Sequence, residues 1–346
     1  MRIKNIISLV LVLVLISLSL IGCRQEAKLE DQVQETIVEE DRVNEAVTKE
    51  PTADEYGIVI DEDTVTFVDG RGEEIRLNKK PERPIVLFAS FVDIWVRNGG
   101  ELVGMVEPSN DYYFPGTEDV ETLGKQGSIS LEKVISLEPD LVVLSSNSSK
   151  HLDMIPALEA NNIPVMALDY KFKEDYYKIS KIFAAINDRM DLYEQDTQMV
   201  KDKIDEIMDM VPTDKEVKVL IIMATSNSIG ANNSETTIGE MFKDLGTINI
   251  ADGSNEKLSS KNFSLETILE EDPDFIFVQT MGSDMEAIEE RLVNDVKSNP
   301  AWSTLSAVKN DRYIVLDSKL YTYKANHRYA EAYENLAKIL YPEVFK

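Results

Sequence analysis

Aromatic and basic side chains recur just after short apolar runs in this chain of 346 residues. Phe91 follows IVLFA, Tyr112 and Tyr113 follow LVGMVE, Lys150 and His151 follow LVVLSS, and Tyr170 and Lys171 follow PVMAL. Further along, Asn227 to Asn233 follow VLIIM, Lys257 and Lys261 follow INIA, and Met281 follows DFIFVQ. Tyr321, Tyr323, Lys324, His327 and Arg328 follow YIVLD. Aromatic rings stack on planar ligands, and ammonium and guanidinium groups meet anionic oxygens. The chemistry on offer is recognition of a bulky, planar or aromatic molecule that carries negative charge.

Bond-breaking chemistry finds little support. There is no GxSxG, GxxxxGK[ST] or HExxH, and the sole cysteine is Cys23. Gly70-Arg71-Gly72 lacks the third glycine of a dinucleotide fingerprint and falls in a turn. His151 and His327, the only histidines, are far apart in the chain. That is thin for a metal ion held by protein alone. Were the ligand haem, His151 and Met281 are the first axial groups to test.

The elements that must position these residues alternate. Runs of four to six apolar residues (IVLFA, LVGMVE, LVVLSS, PVMAL) are separated by helical patterns (FVDIWVRNG, ISLEKVISLEP, MIPALEANN). That rhythm predicts βαβ units and a parallel sheet. TVTFVDGRGEEIRL, ahead of it, reads as a hairpin around Asp69-Gly70. Asp175 to about Met210 is one long helical stretch with a break at Asn187-Asp188. The alternation then starts again with VKVLIIM. The expected fold class is α/β, with two Rossmann-like lobes of parallel sheet, one long helix joining them, and a ligand cleft between them. In open parallel sheets ligands bind beyond the carboxyl ends of the strands, where the aromatic and basic residues fall.

The ends of the chain are equally informative. Arg2 and Lys4 precede fifteen apolar and serine residues, Ile6 to Leu20; a membrane span needs roughly 18 or more. Leu20-Ile21-Gly22-Cys23 resembles a lipobox, which makes Cys23 the lipidated first residue of the mature chain. Residues 24–55 hold eleven acidic side chains against four basic ones and no aromatic, the composition of a disordered tether. The expected organisation is a signal peptide (1–22), an acidic tether (23–55), an N-terminal lobe (56–187), a connecting helix (188–212) and a C-terminal lobe (213–346). Without Arg2 and Lys4 there remain 34 basic and 63 acidic side chains, a net charge of −29. That charge argues against nucleic acid and anionic lipid as partners, and docking on a basic partner is compatible.

One segment is written twice. SLEKVISLEPDLVVL (Ser130–Leu144) and SLETILEEDPDFIFV (Ser264–Val278) share Ser, Leu, Glu and Pro-Asp at an offset of 134 residues. Each reads as helix, turn and strand, with proline closing the helix. Glu132 and Glu266 stand at the same place in both. A glutamate in a first helical turn also stabilises the helix dipole by roughly 0.3–1 kcal/mol.

TVTFVDGRGEEIRLNKKPERPIVL, GSISLEKVISLEPDLVVL, NPAWSTLSAVKNDRYIVLD and YKANHRYAEAYENLAKILYP resemble the substrate-binding proteins of ABC importers for iron–siderophore, haem and cobalamin complexes. The likeness covers roughly Val65 to Pro342. It implies two lobes bridged by a rigid helix with modest closure, no catalysis, no cofactor, and a monomer. Glu132 and Glu266 match the family's glutamates that pair with permease arginines. The ligand contacts expected from the post-strand loops are Tyr112, Tyr113, Lys171, Lys261, Met281, Tyr323, Lys324, His327 and Arg328, and the closing motif YKANHRYAEAY makes Tyr323, Lys324 and Arg328 the best candidates. The ligand loops depart from any single subfamily pattern. An iron(III)–siderophore complex is the expected cargo, with haem or cobalamin as alternatives within the family. Cobalamin fits less well, because the family's cobalamin clefts are aromatic and rather uncharged. A chelatase-like or haem-modifying enzyme on a similar scaffold is the rival from another class. The expected location is outside the cell membrane, anchored through Cys23.

Overall fold

The computed structural model describes residues 52–108, 114–282 and 284–346, and Glu50–Lys346 form one compact unit. Cys23, the signal segment, most of the tether, Tyr112 and Tyr113 lie outside the described residues. Among the described residues, no helix is long and apolar enough to cross a membrane.

A small antiparallel sheet comes first, formed by β1 (Val59–Ile60), β2 (Thr64–Val68) and β3 (Glu74–Asn78). Its β2–β3 hairpin is the one expected. The turn is held by Asp69, whose carboxylate accepts the backbone N–H and the Nε–H of Arg71, both at 2.8 Å. The first parallel sheet contains β4 (Pro84–Val86), β5 (Gly104–Met105), β6 (Glu121–Thr122), β7 (Leu141–Ser145) and β8 (Val165–Leu168). Its order is β6-β5-β4-β7-β8, every pair parallel.

The second sheet contains β9 (Val217–Ala224), β10 (Ile229–Asn232), β11 (Thr247–Asn249), β12 (Phe275–Thr280) and β13 (Tyr313–Val315). Here β12 lies between β9 and β13, and β11 runs parallel to the first half of β9. The order β11-β9-β12-β13 therefore repeats β5-β4-β7-β8. The addition is β10, antiparallel to the second half of β9.

Two expectations need correction. Asn227 to Asn233, read as a loop, contains β10. The sequence SIGAN carries little strand propensity, but Gly230 lets a neighbouring backbone approach: a Cβ there would sit 2.7 Å from the Ser260 carbonyl oxygen. Phe91, placed in a post-strand loop, lies instead in the Ala89–Arg97 helix with no exposed surface. It packs on Phe88, Tyr170 and Phe183.

Alternate strand residues face different cores. Leu141 and Val143, like Val219, Ile221, Phe275 and Phe277, belong to one cluster that runs through both lobes. Val142 and Leu144 face a second cluster, while Leu220, Ile222, Ile276 and Val278 face a third. Both faces of each sheet are covered, so the strands read as apolar runs instead of alternating. The shared cluster includes Ile179, Ile182, Phe183, Ile204 and Ile207 of the connection. That connection is the Lys173–Ile186 helix, a step at Asn187-Asp188 where Asp188 takes φ 55°, and helical turns from Met190 to Met210.

Candidate functional site

The repeated segment folds the same way twice. Ser130 caps the Leu131–Ser136 helix at φ −84° and ψ 105°, its hydroxyl accepting from the Lys133 N–H. Ser264 caps the Leu265–Glu271 helix at φ −84° and ψ 106°, accepting from the Thr267 N–H. Both helices end on a left-handed residue before proline: Glu138 at φ 46° and Asp272 at φ 40°. The aspartates that follow tie neighbouring strands together. Asp140 accepts the N–H groups of Glu82 (2.6 Å) and Arg83 (2.9 Å), and Asp274 accepts that of Lys218 (2.9 Å). Glu132 and Glu266 are exposed in the first turn of each helix. Neither has an ion-pair partner among the described residues.

At the lobe junction the loops after β8 and β13 meet. The Lys171 carbonyl accepts from the Lys324 ammonium (2.6 Å) and the Thr237 hydroxyl (2.9 Å). Lys324 also donates to Thr237 Oγ1 at 2.9 Å and lies over the Tyr170 ring, 4.7 Å from its centroid. Tyr170, buried, donates its hydroxyl to Asn326 Oδ1 at 2.7 Å. Asn326 in turn donates to the Ser90 carbonyl (3.1 Å) and Asp93 Oδ2 (2.7 Å). His327 Nε2 lies 2.9 Å from Arg97 Nη2, and its Nδ1 lies 3.5 Å from Asp93 Oδ2. Since arginine only donates, Nε2 is the acceptor and the ring proton sits on Nδ1, toward Asp93.

Burial shapes the charges here. Burial lowers the Lys324 ammonium to about 8, although Asp175, Asp169 and Glu240 pull the other way. Burial lifts the Glu240 carboxyl to about 7, against the attraction of Lys173. For Asp93 burial alone would raise the carboxyl, but the nearby His327 ring, a hydrogen bond from Asn326 and the charge of Arg97 hold it below the usual carboxylate range. Lys173 bridges Asp244 (2.6 Å) and Glu174 (2.9 Å), and Tyr333 also donates to Asp244 at 2.6 Å.

The remaining sequence-picked residues are spread out. Arg328 pairs with Glu331 through two 2.8 Å contacts. Lys171 turns its ammonium over the Phe172 ring, 4.6 Å from the centroid. Tyr323 and Met281 are 36% and 49% exposed, at the ends of the β13 and β12 connections. Lys261 is exposed in the loop that flanks β10. His151 is buried, its Nδ1 accepting the Ser145 N–H at 3.0 Å, and burial lowers its pKa. The structure thus gathers Tyr170, Lys171, Lys324 and His327 at one junction and leaves Lys261, Met281 and His151 on other parts of the lobes. Asp93, Thr237 and Asn326 were missed, because a short polar residue inside an ordinary helix or loop carries no pattern of its own. Among the described residues, no three His, Cys, Asp or Glu side chains converge to hold a metal ion.

Two α/β lobes with matched sheets and a helical connection define a solute-binding architecture. A family model described as "Periplasmic binding protein" matches residues 87–320, and the chain belongs to that family. The Bacillus subtilis protein named "Uncharacterized ABC transporter substrate-binding lipoprotein YvrC" is 28% identical over 289 residues, 82% of this chain and 87% of that protein. The Fe(3+)-citrate-binding protein YfmC of Bacillus subtilis is 24% identical, over 77% of this chain and 79% of its own. A solved ABC transporter substrate-binding protein from Listeria monocytogenes aligns with TM-score 0.62 at 24% identity, covering 76% of this chain and 100% of the other.

Proposed function

We propose that this protein is the substrate-binding component of an ABC importer, held outside the cell membrane by lipid on Cys23, and that it delivers an iron(III)–siderophore complex to the permease. The observation that carries the reading is the pair of exposed glutamates, Glu132 and Glu266, one per lobe on helices of matching cap geometry. Two equivalent acidic feet suit a permease that contacts both lobes at once. The relative that binds Fe(3+)-citrate supports an iron chelate as cargo. The exposed Lys171 side chain at the junction favours an anionic one. Burial of His151, with Nδ1 already engaged, speaks against its use as a haem ligand. No catalytic step is assigned.

The test is iron uptake by cells lacking the native gene and complemented with variants. Glu132→Arg with Glu266→Arg should abolish uptake while the purified variant binds its ferric chelate as before. Cys23→Ala should release the protein from the membrane fraction. Full uptake by the double arginine variant would overturn the docking assignment.

A further inference from the structure

The YKANHR segment carries a feature that ligand binding does not explain. Asn326 is 1% exposed and sits at φ 50°, a left-handed conformation. Asparagine tolerates this better than most residues, yet such strain persists only where surrounding structure over-determines it. Here its amide makes three hydrogen bonds out of a capacity of four. Oδ1 accepts from Tyr170, and Nδ2 donates to Ser90 and to Asp93.

All three partners belong to the N-terminal lobe, while the backbone of Asn326 follows β13 in the C-terminal lobe. Among the described residues, none of its side-chain hydrogen bonds goes to its own lobe. Neighbours on both sides repeat the arrangement: Lys324 reaches the Lys171 carbonyl, and His327 meets Arg97 and Asp93. Ala325 and Tyr329, both buried, belong to the cluster shared by the lobes. An apolar contact tolerates sliding; three directional bonds to one amide do not.

We propose that Asn326 is a positioning residue, an inter-lobe peg that fixes the angle between the two sheets and so sets the resting width of the cleft. It acts through Asp93, Ser90 and Tyr170 and need not touch the ligand. Relative motion of the lobes is then limited to rotations about this point that preserve the three bonds.

The experiment needs no ligand. Residues 24–346 contain no cysteine, so Glu132→Cys and Glu266→Cys place one spin label on each lobe for pulsed-dipolar distance measurement. The parent should give a narrow distance distribution. Asn326→Gly relieves the left-handed backbone but removes the amide; its distribution should broaden by about twofold, the signature of a freed hinge or shear. Asn326→Asp, which sets a second carboxylate against Asp93, should broaden it similarly. Tyr170→Phe, which removes one hydroxyl, should give an intermediate width. Near-ultraviolet circular dichroism of the buried Trp95 and Trp302 reports whether each variant is folded. A folded Asn326→Gly variant with the parent's distribution overturns the proposal. Should that variant not fold, an unchanged distribution in Tyr170→Phe overturns it instead.

Discussion

Replacing Glu240 by glutamine probes the electrostatics of the lobe junction. Glu240 is half-buried in the Thr237–Asp244 helix, and burial lifts its carboxyl from the ordinary 4.5 to about 7, with Lys173 opposing and Glu174 and Asp244 adding to the rise. A group raised in the folded state stabilises the fold fully below its unfolded value, and the advantage is lost as pH climbs to the folded value. The wild type should therefore lose stability between pH 4.5 and 7, and the glutamine variant should lack that component. Taken at face value the shift is worth about 3 kcal/mol at ~1.4 kcal/mol per unit. Solvent screening of a half-exposed group reduces this to about 1–2 kcal/mol. Differential scanning calorimetry should show Glu240→Gln melting about 2–4 °C above wild type at pH 8 and within about 1 °C of it at pH 5. An equal difference at both pH values, or a loss at pH 8, would refute the reasoning.

Further variants separate local effects. Gly239→Ala gains about 1 kcal/mol of helix propensity, but its Cβ would lie 1.9 Å from the Asn233 carbonyl oxygen. The clash with backbone should win, with a net loss of about 3 kcal/mol in urea unfolding; a stabilised variant would contradict the geometry. Ser130→Ala and Ser264→Ala should each cost about 1 kcal/mol as lost helix caps. Because the two caps lie in different lobes, the double variant should be additive within about 0.5 kcal/mol. Coupling well beyond that, again read from urea midpoints, would mean the repeats are not independent.

Legibility differed by range. The repeated segment was readable because its determinants are local: a serine cap, a helix, a residue before proline, and an aspartate that enters the next strand. The apolar runs likewise exposed the buried sheets, and the hairpin followed from Asp69-Gly70. The same rules failed at β10, whose glycine is there for the approach of the Ser260 backbone. They failed more deeply at the junction. Lys324 is basic, follows a strand and satisfies every criterion for a ligand contact, yet in the structure its ammonium serves the Lys171 carbonyl. A side chain's type is local information; its partner, 153 residues away in the chain, is not. Asn326 shows the same gap, since nothing in ANH announces a left-handed backbone or three bonds to another lobe.

Direct binding tests the proposal that this protein captures an iron(III)–siderophore complex. Residues 24–346 would be melted with ferric citrate, ferric catecholate and hydroxamate siderophores, haem, cobalamin and bare Fe(III). A ligand present at 100 times its Kd adds about 2.7 kcal/mol. Melting temperature should rise saturably, one to one, with one class of ferric siderophore and not with bare iron. A rise confined to haem or cobalamin, or no rise with any of the panel, would contradict the proposal.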